Sequence, residues 1–165
     1  MPVTLEEFNA AGEDGLTQTL SKCCDAPTWV GAVLSKRPYP DREALLRTAS
    51  AAARTLTPAE VDRALAAHPR IGERVSGPSP EAAWSRGEQS SVSRDQQTQV
   101  DLADANRAYE ERFGRVFLIC ASGLDAQQIL EAARGRLDND DATEEQVVAD
   151  ELRKIALVRL RKVVA

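Results

Sequence analysis

The sequence predicts an all-α protein: one compact domain over residues 1–165, built from about eight helices. Three observations predict it. Helix-start signals recur along the chain. Alanine is abundant while aromatic residues make up only 4%, which suits closely packed helices better than a β-sandwich. One short apolar run has strand character, and no second run exists to pair with it.

The elements follow in order. Thr4 and Glu7 form a capping box, with Thr4 as N-cap and Glu7 at N3. Leu16 to about Cys24 has the apolar and polar mix of a second helix. Pro27 suits the first turn of a third, through Trp29, Val33 and Leu34. Asp41 caps an alanine-rich helix reaching about Thr55. Thr57-Pro58-Ala59-Glu60 is the clearest start in the chain: an N-cap threonine, proline at N1 and glutamate at N3. That helix is expected to run to His68, because Pro69 disfavours helical backbone in the residue before it.

A loop rich in Gly, Ser and Pro is expected between Ile71 and Pro80, then a short helix over Pro80–Glu88 carrying Trp84. Ser93 and Gln96 read as a capping box opening the longest helix. Leu102, Asn106, Tyr109 and Phe113 share one of its faces, and Gly114 closes it in left-handed conformation. Val116–Cys120 reads as a buried extended segment or the start of a turn. Leu124 to about Arg134 is expected to be helical, closed by Gly135. The final helix has an acidic start at Asp140-Asp141 and a basic end, both matched to the helix dipole.

Composition excludes several function classes. The net charge is -5, with both signs interleaved and no basic stripe, so no nucleic-acid partner is expected. No apolar run approaches the ~20 residues that span a bilayer, and the N-terminus lacks the regions of a signal peptide. Cytoplasmic residence is the expectation. Three cysteines, two of them adjacent, do not make a disulfide framework. With one histidine and no Cys-x-x-Cys pair, no metal site is expected.

Two residues carry chemistry out of proportion to their surroundings. His68 is the sole histidine and sits in Ala-His-Pro-Arg-Ile-Gly-Glu, where backbone leaves regular structure. Imidazole titrates nearest neutrality, so acid–base work is one reading; a simple helix C-terminal cation is the other. Arg159 shares a stripe of the last helix with Val148, Leu152 and Ile155. It reads either as a snorkelling side chain with its head in water or as a clamp for an anion. Asn106 reads as a residue that satisfies backbone groups, and Glu88-Gln89, taken alone, as a solvated helix end.

Three segments taken together resemble the OHCU decarboxylases, which act on 2-oxo-4-hydroxy-4-carboxy-5-ureidoimidazoline in urate breakdown. The segments are His68-Pro69-Arg70-Ile71-Gly72, Ser85-Arg86-Gly87-Glu88-Gln89, and Asn106 through Ile119 with its Tyr109, Phe113-Gly114 and Phe117. They match the family patterns His-Pro-x-[Leu/Ile]-Gly, Ser-x-x-Glu-Gln and Asn-x-x-Tyr-x-x-[Arg/Lys]-Phe-Gly-x-x-Phe-[Ile/Leu]. Arg159-Leu160 matches a pair in the family's closing helix.

The resemblance implies an all-α, cofactor-free enzyme of purine catabolism that forms (S)-allantoin by stereoselective decarboxylation, and a homodimer. It implies catalytic roles for His68 and Glu88. It implies substrate-binding roles for Pro69, Ser85, Gln89, Arg159 and the Phe117-Leu118-Ile119 backbone. Ser90-Ser91-Val92 and Val116 depart from the common family pattern, at positions that shape a pocket without supplying a titratable group. Two alternatives stand beside this: a non-catalytic helical module that binds a ligand or partner, and a ureide hydrolase, which would need an activated water.

Overall fold

Most of the helices begin at a side chain that accepts from their first turn. A computed structural model describes residues 2–73 and 76–165. Among them are nine helices: α1 (Leu5–Ala10), α2 (Glu13–Cys23), α3 (Pro27–Ser35), α4 (Arg42–Ala53), α5 (Pro58–Leu65), α6 (Pro80–Glu88), α7 (Gln96–Phe113), α8 (Ala126–Arg136) and α9 (Asp141–Val163). The all-α expectation holds, and an isolated bridge outside them joins Val3 to Val164. Thr4, Asp41, Thr57, Ser79, Asp95 and Asp125 each accept a backbone N–H two or three residues into the helix that follows.

Several boundaries differ from the sequence expectation for identifiable reasons. Helix α5 stops at Leu65 rather than at His68. In a longer helix the Leu65 carbonyl would accept from residue 69, but Pro69 has no N–H and its ring would collide with that carbonyl. Helix α7 is capped by Asp95, not Ser93; the Ser93 hydroxyl instead donates to the Asp95 carboxylate. Helix α8 starts at a capping box of Asp125 and Gln128, and Gly135 lies inside it. Helix α2 starts at Glu13, and α9, at 23 residues, is longer than α7, at 18. The expected loop over Ile71–Pro80 includes residues 74 and 75, which lie outside the described residues.

The chain divides into two compact units. The first comprises residues 1–67 and 149–165. Its buried side chains include Phe8, Leu20, Trp29, Val33, Leu45, Leu152 and Leu160. Trp29 donates its indole N–H to the Ala49 carbonyl at 2.9 Å, and Tyr39 its hydroxyl to Val33 at 2.6 Å. Arg37 closes α1 by donating to the carbonyls of Phe8, Asn9 and Ala11.

The second unit, residues 68–148, holds the three segments that carry the family resemblance. Its core joins Ile71, Val92, Leu102, Tyr109, Phe117, Ile119, Ile129 and Leu130. Gly114 ends α7 at φ 71°, as its left-handed cap role requires. Residues 116–120 lie outside helix and strand, with Phe117, Leu118 and Ile119 buried, as expected of the unpaired apolar run.

Candidate active site

The loop that follows α5 carries His68, which is half-buried with Pro69, and then buries Ile71. Three side chains from elsewhere in the second unit hold this loop. Asn106, buried on α7, donates its amide to the Ile71 carbonyl at 2.7 Å. Gln89 accepts the Gly72 N–H on its side-chain oxygen at 3.0 Å. Gly72 itself takes φ +90°, a conformation that disfavours any side chain. Arg94 donates to its carbonyl at 3.0 Å. The reading of Asn106 as a residue that satisfies backbone groups is therefore correct.

Helix α6 presents Ser85, Glu88 and Gln89 on one face, three and four residues apart, and all three are buried. Glu88 is only 8% exposed, so it is not the solvated helix end that its position suggests. It is also the last residue of α6, where the helix dipole disfavours negative charge.

The Phe117–Ile119 segment is anchored from behind. Arg136, at the end of α8, donates to the Leu118 carbonyl at 2.7 Å, and its guanidinium lies 4.6 Å from the centroid of the Phe117 ring. The Glu144 carboxylate accepts from Arg136 Nε at 2.8 Å, from the Tyr109 hydroxyl at 2.5 Å and from Asn139 at 3.0 Å. Burial pushes the Glu144 carboxyl up, but the hydrogen bonds from Arg136, Tyr109 and Asn139 outweigh it and hold the group below its usual range. Tyr109, by contrast, is raised by burial and by its bond to that carboxylate. Glu144 reads in the sequence only as part of an acidic helix start, and Arg136 falls just past the expected end of the helix before it. Their pairing across a turn leaves no motif to find.

Arg159 lies in the first unit and is 3% exposed, so its head does not snorkel into water. Its Nη1 donates to the Lys22 carbonyl at 3.2 Å. It also opposes the burial that pushes the neighbouring Cys24 thiol up to about 12. The surface arginines read differently: Arg70 is paired with Glu110 and Glu73, and Arg86 donates to the Gly77 carbonyl. Eight of the nine expected site residues thus fall in the second unit, and Arg159 in the first. Of the departures from family pattern, Ser90 and Ser91 are exposed while Val92 joins the core.

The family model for OHCU decarboxylase matches residues 9–161. The chain belongs to the OHCU decarboxylase family. It is 28% identical to a 2-oxo-4-hydroxy-4-carboxy-5-ureidoimidazoline decarboxylase of Amia calva, covering 97% of this chain and 94% of that protein. A protein of the same name from Haloferax volcanii is also 28% identical, with 96% and 94% covered. A crystal structure of OHCU decarboxylase in the presence of (S)-allantoin superposes with a TM-score of 0.72 over 92% of this chain and 97% of that one, at 24% identity. That likeness extends the family's helical fold to this chain. Among the described residues no helix is long and apolar enough to cross a membrane, and no cluster of three metal-ligating side chains occurs.

Proposed function

We propose that this decarboxylase converts 2-oxo-4-hydroxy-4-carboxy-5-ureidoimidazoline to (S)-allantoin, using His68 and Glu88 as its acid–base pair and no cofactor. The observation that carries the assignment of roles is the burial of Glu88 at the negative end of α6, in the unit that also holds His68.

Decarboxylation leaves an electron pair on carbon, and many enzymes borrow a sink for it from a cofactor. This substrate brings its own, a ring imine beside the carbon that bears the carboxylate. As the bond to the carboxylate breaks and carbon dioxide leaves, the electron pair forms a double bond to the neighbouring ring carbon. The imine nitrogen takes up a proton. The hydroxyl then gives its proton to His68 and becomes a carbonyl, while the neighbouring carbon receives a proton on one face. Delivery from one face makes a single enantiomer. Glu88 orients and charges His68, and one of the pair returns the proton.

Ser85, Gln89 and Pro69 border the reacting groups, and backbone N–H groups of Phe117, Leu118 and Ile119 bind the substrate's oxygen atoms. Arg159 holds an anionic group, a role supported by the burial of its guanidinium, whose planar fork of donors suits a carboxylate. The expected assembly is a homodimer in the cytoplasm, which light scattering and fractionation test.

The reaction is tested by generating the substrate from urate with the preceding enzymes and following carbon dioxide release. Acceleration over the spontaneous rate is expected, with a raised KM for Arg159→Lys. Release at the spontaneous rate would return the chain to the reading of a non-catalytic binding module on the same fold.

A further inference from the structure

The Leu118–Ile119 peptide is where a side chain with no direct access to substrate can govern how substrate is held. The Leu118 carbonyl and the Ile119 N–H belong to one planar trans peptide and point in opposite directions. Fixing the first therefore aims the second. Arg136 fixes the carbonyl through Nη1 at 2.7 Å. Its remaining donors on the inner side, Nε and Nη2, both reach Glu144 Oε1. The guanidinium is planar, so two bonds to the carboxylate and one to the carbonyl leave it no freedom to rotate. The pair is buried, with side-chain exposures of 10% for Arg136 and 0% for Glu144.

Nothing in the repeating backbone does this work. Residues 116–120 belong to neither helix nor strand, and among the described residues no backbone carbonyl accepts from the N–H of Phe117, Leu118 or Ile119. Without a ladder to set its plane, the Leu118–Ile119 peptide takes its orientation from Arg136. The stacked Phe117 ring, edge-on to Tyr109 at 5.2 Å, fixes the preceding residue.

We propose that Arg136, clamped by Glu144, is a positioning residue for the decarboxylation, acting by aiming the Ile119 amide at the bound substrate. This rests on the function proposed above, in which that backbone segment binds the substrate. The effect is on binding in ground and transition state alike, so it appears in KM and in product affinity while kcat changes little.

The test compares wild type with Arg136→Lys and with Tyr109→Phe, which removes a different donor to Glu144 and leaves Arg136 in place. Each is checked for native helix content and melting temperature, then assayed for kcat, KM and the Kd of (S)-allantoin. Arg136→Lys is expected to raise KM and the allantoin Kd about tenfold, the loss of one hydrogen bond, with kcat within about threefold and the pH profile unmoved. Tyr109→Phe is expected to lower the melting temperature while KM stays near wild type. Equal KM for wild type and folded Arg136→Lys overturns the proposal. So does a KM rise in Tyr109→Phe that matches the one in Arg136→Lys, since the effect would then follow stability.

A second measurement needs no variant. In the wild-type protein, hydrogen exchange at the Ile119 amide is expected to slow when (S)-allantoin binds, and unchanged exchange with the ligand bound overturns the proposal. Failure of the underlying functional reading looks different: the wild type itself would give no catalysed decarboxylation.

Discussion

Gln89 and Gly72 are joined by a single hydrogen bond of 3.0 Å, from the glycine N–H to the glutamine side-chain oxygen. It ties the end of α6, with its buried Glu88, to the loop that carries His68. Asn106 makes a parallel tie one residue earlier, donating to the Ile71 carbonyl at 2.7 Å. The two amides together set the conformation of the His-Pro-Arg-Ile-Gly segment.

Removing either tie leaves a backbone group without its partner. Asn106→Ala is expected to destabilise the protein by about 1–3 kcal/mol, the cost of an unsatisfied buried acceptor. Gln89→Ala is expected to cost less in stability and more in catalysis, because Gly72 is only partly buried. Urea titrations alongside kcat/KM check both. Equal stability of Asn106→Ala and wild type would contradict the account of the loop.

Gly72→Ala tests the same segment from the backbone. At φ +90° a side chain is strained, and its Cβ would lie 3.2 Å from Leu102 Cδ1. A cost of about 1–3 kcal/mol is expected for the strained conformation. Thermal melts of Gly72→Ala should show a lower midpoint. An unchanged midpoint would mean the loop reaches another conformation at no cost.

The thiols are expected to differ in reactivity. Cys23 and Cys24 are buried, and burial pushes the Cys24 thiol up to about 12, so at pH 8 it is uncharged as well as shielded. Cys120 is partly exposed. Titration of the native protein with a chromogenic disulfide at pH 8 should label at most one thiol rapidly, and all three after unfolding. Rapid labelling of Cys24 in the native state would contradict the packing of the first unit.

Acid is expected to weaken the second unit through Glu144. Its carboxyl lies below the ordinary 4.5 in the folded protein, so folding favours the ionised form. Its contribution is complete above the unfolded-state value and is lost as pH falls through the folded one. Glu144→Gln should flatten that acid limb and, by leaving Arg136 without its counter-charge, cost about 3–5 kcal/mol at neutral pH. Stability curves from pH 7 to pH 2 test both. An acid limb identical in wild type and variant would place the titrating group elsewhere.

Much of this architecture is legible in the chain because its caps are local. Thr4, Asp41 and Thr57 announce helices within a few residues, and each caps the helix it announces. The motif around His68 and the Ser85–Gln89 face are equally legible, since each lies within one turn of chain. What the sequence hides is what forms only on folding. The burial of Glu88 depends on what covers α6, and the clamp of Arg136 on Glu144 depends on α8 and α9 meeting. Arg159 reads as a cation at an apolar edge because periodicity gives its stripe but not how deep that stripe lies. The Leu65 end of α5 was derivable: a proline bars the helical carbonyl four residues before it as well as the residue just before it.

The central claim is that His68 carries the proton chemistry of a stereoselective decarboxylation. The most direct measurement is time-resolved circular dichroism of urate oxidation, with wild type, with His68→Ala and with no added decarboxylase. The account predicts rapid growth of the (S)-allantoin signal with wild type and a loss of about 100- to 10,000-fold in His68→Ala, whose helix content is unchanged. Slow appearance of racemic allantoin with wild type, or a near-full rate in His68→Ala, would contradict it.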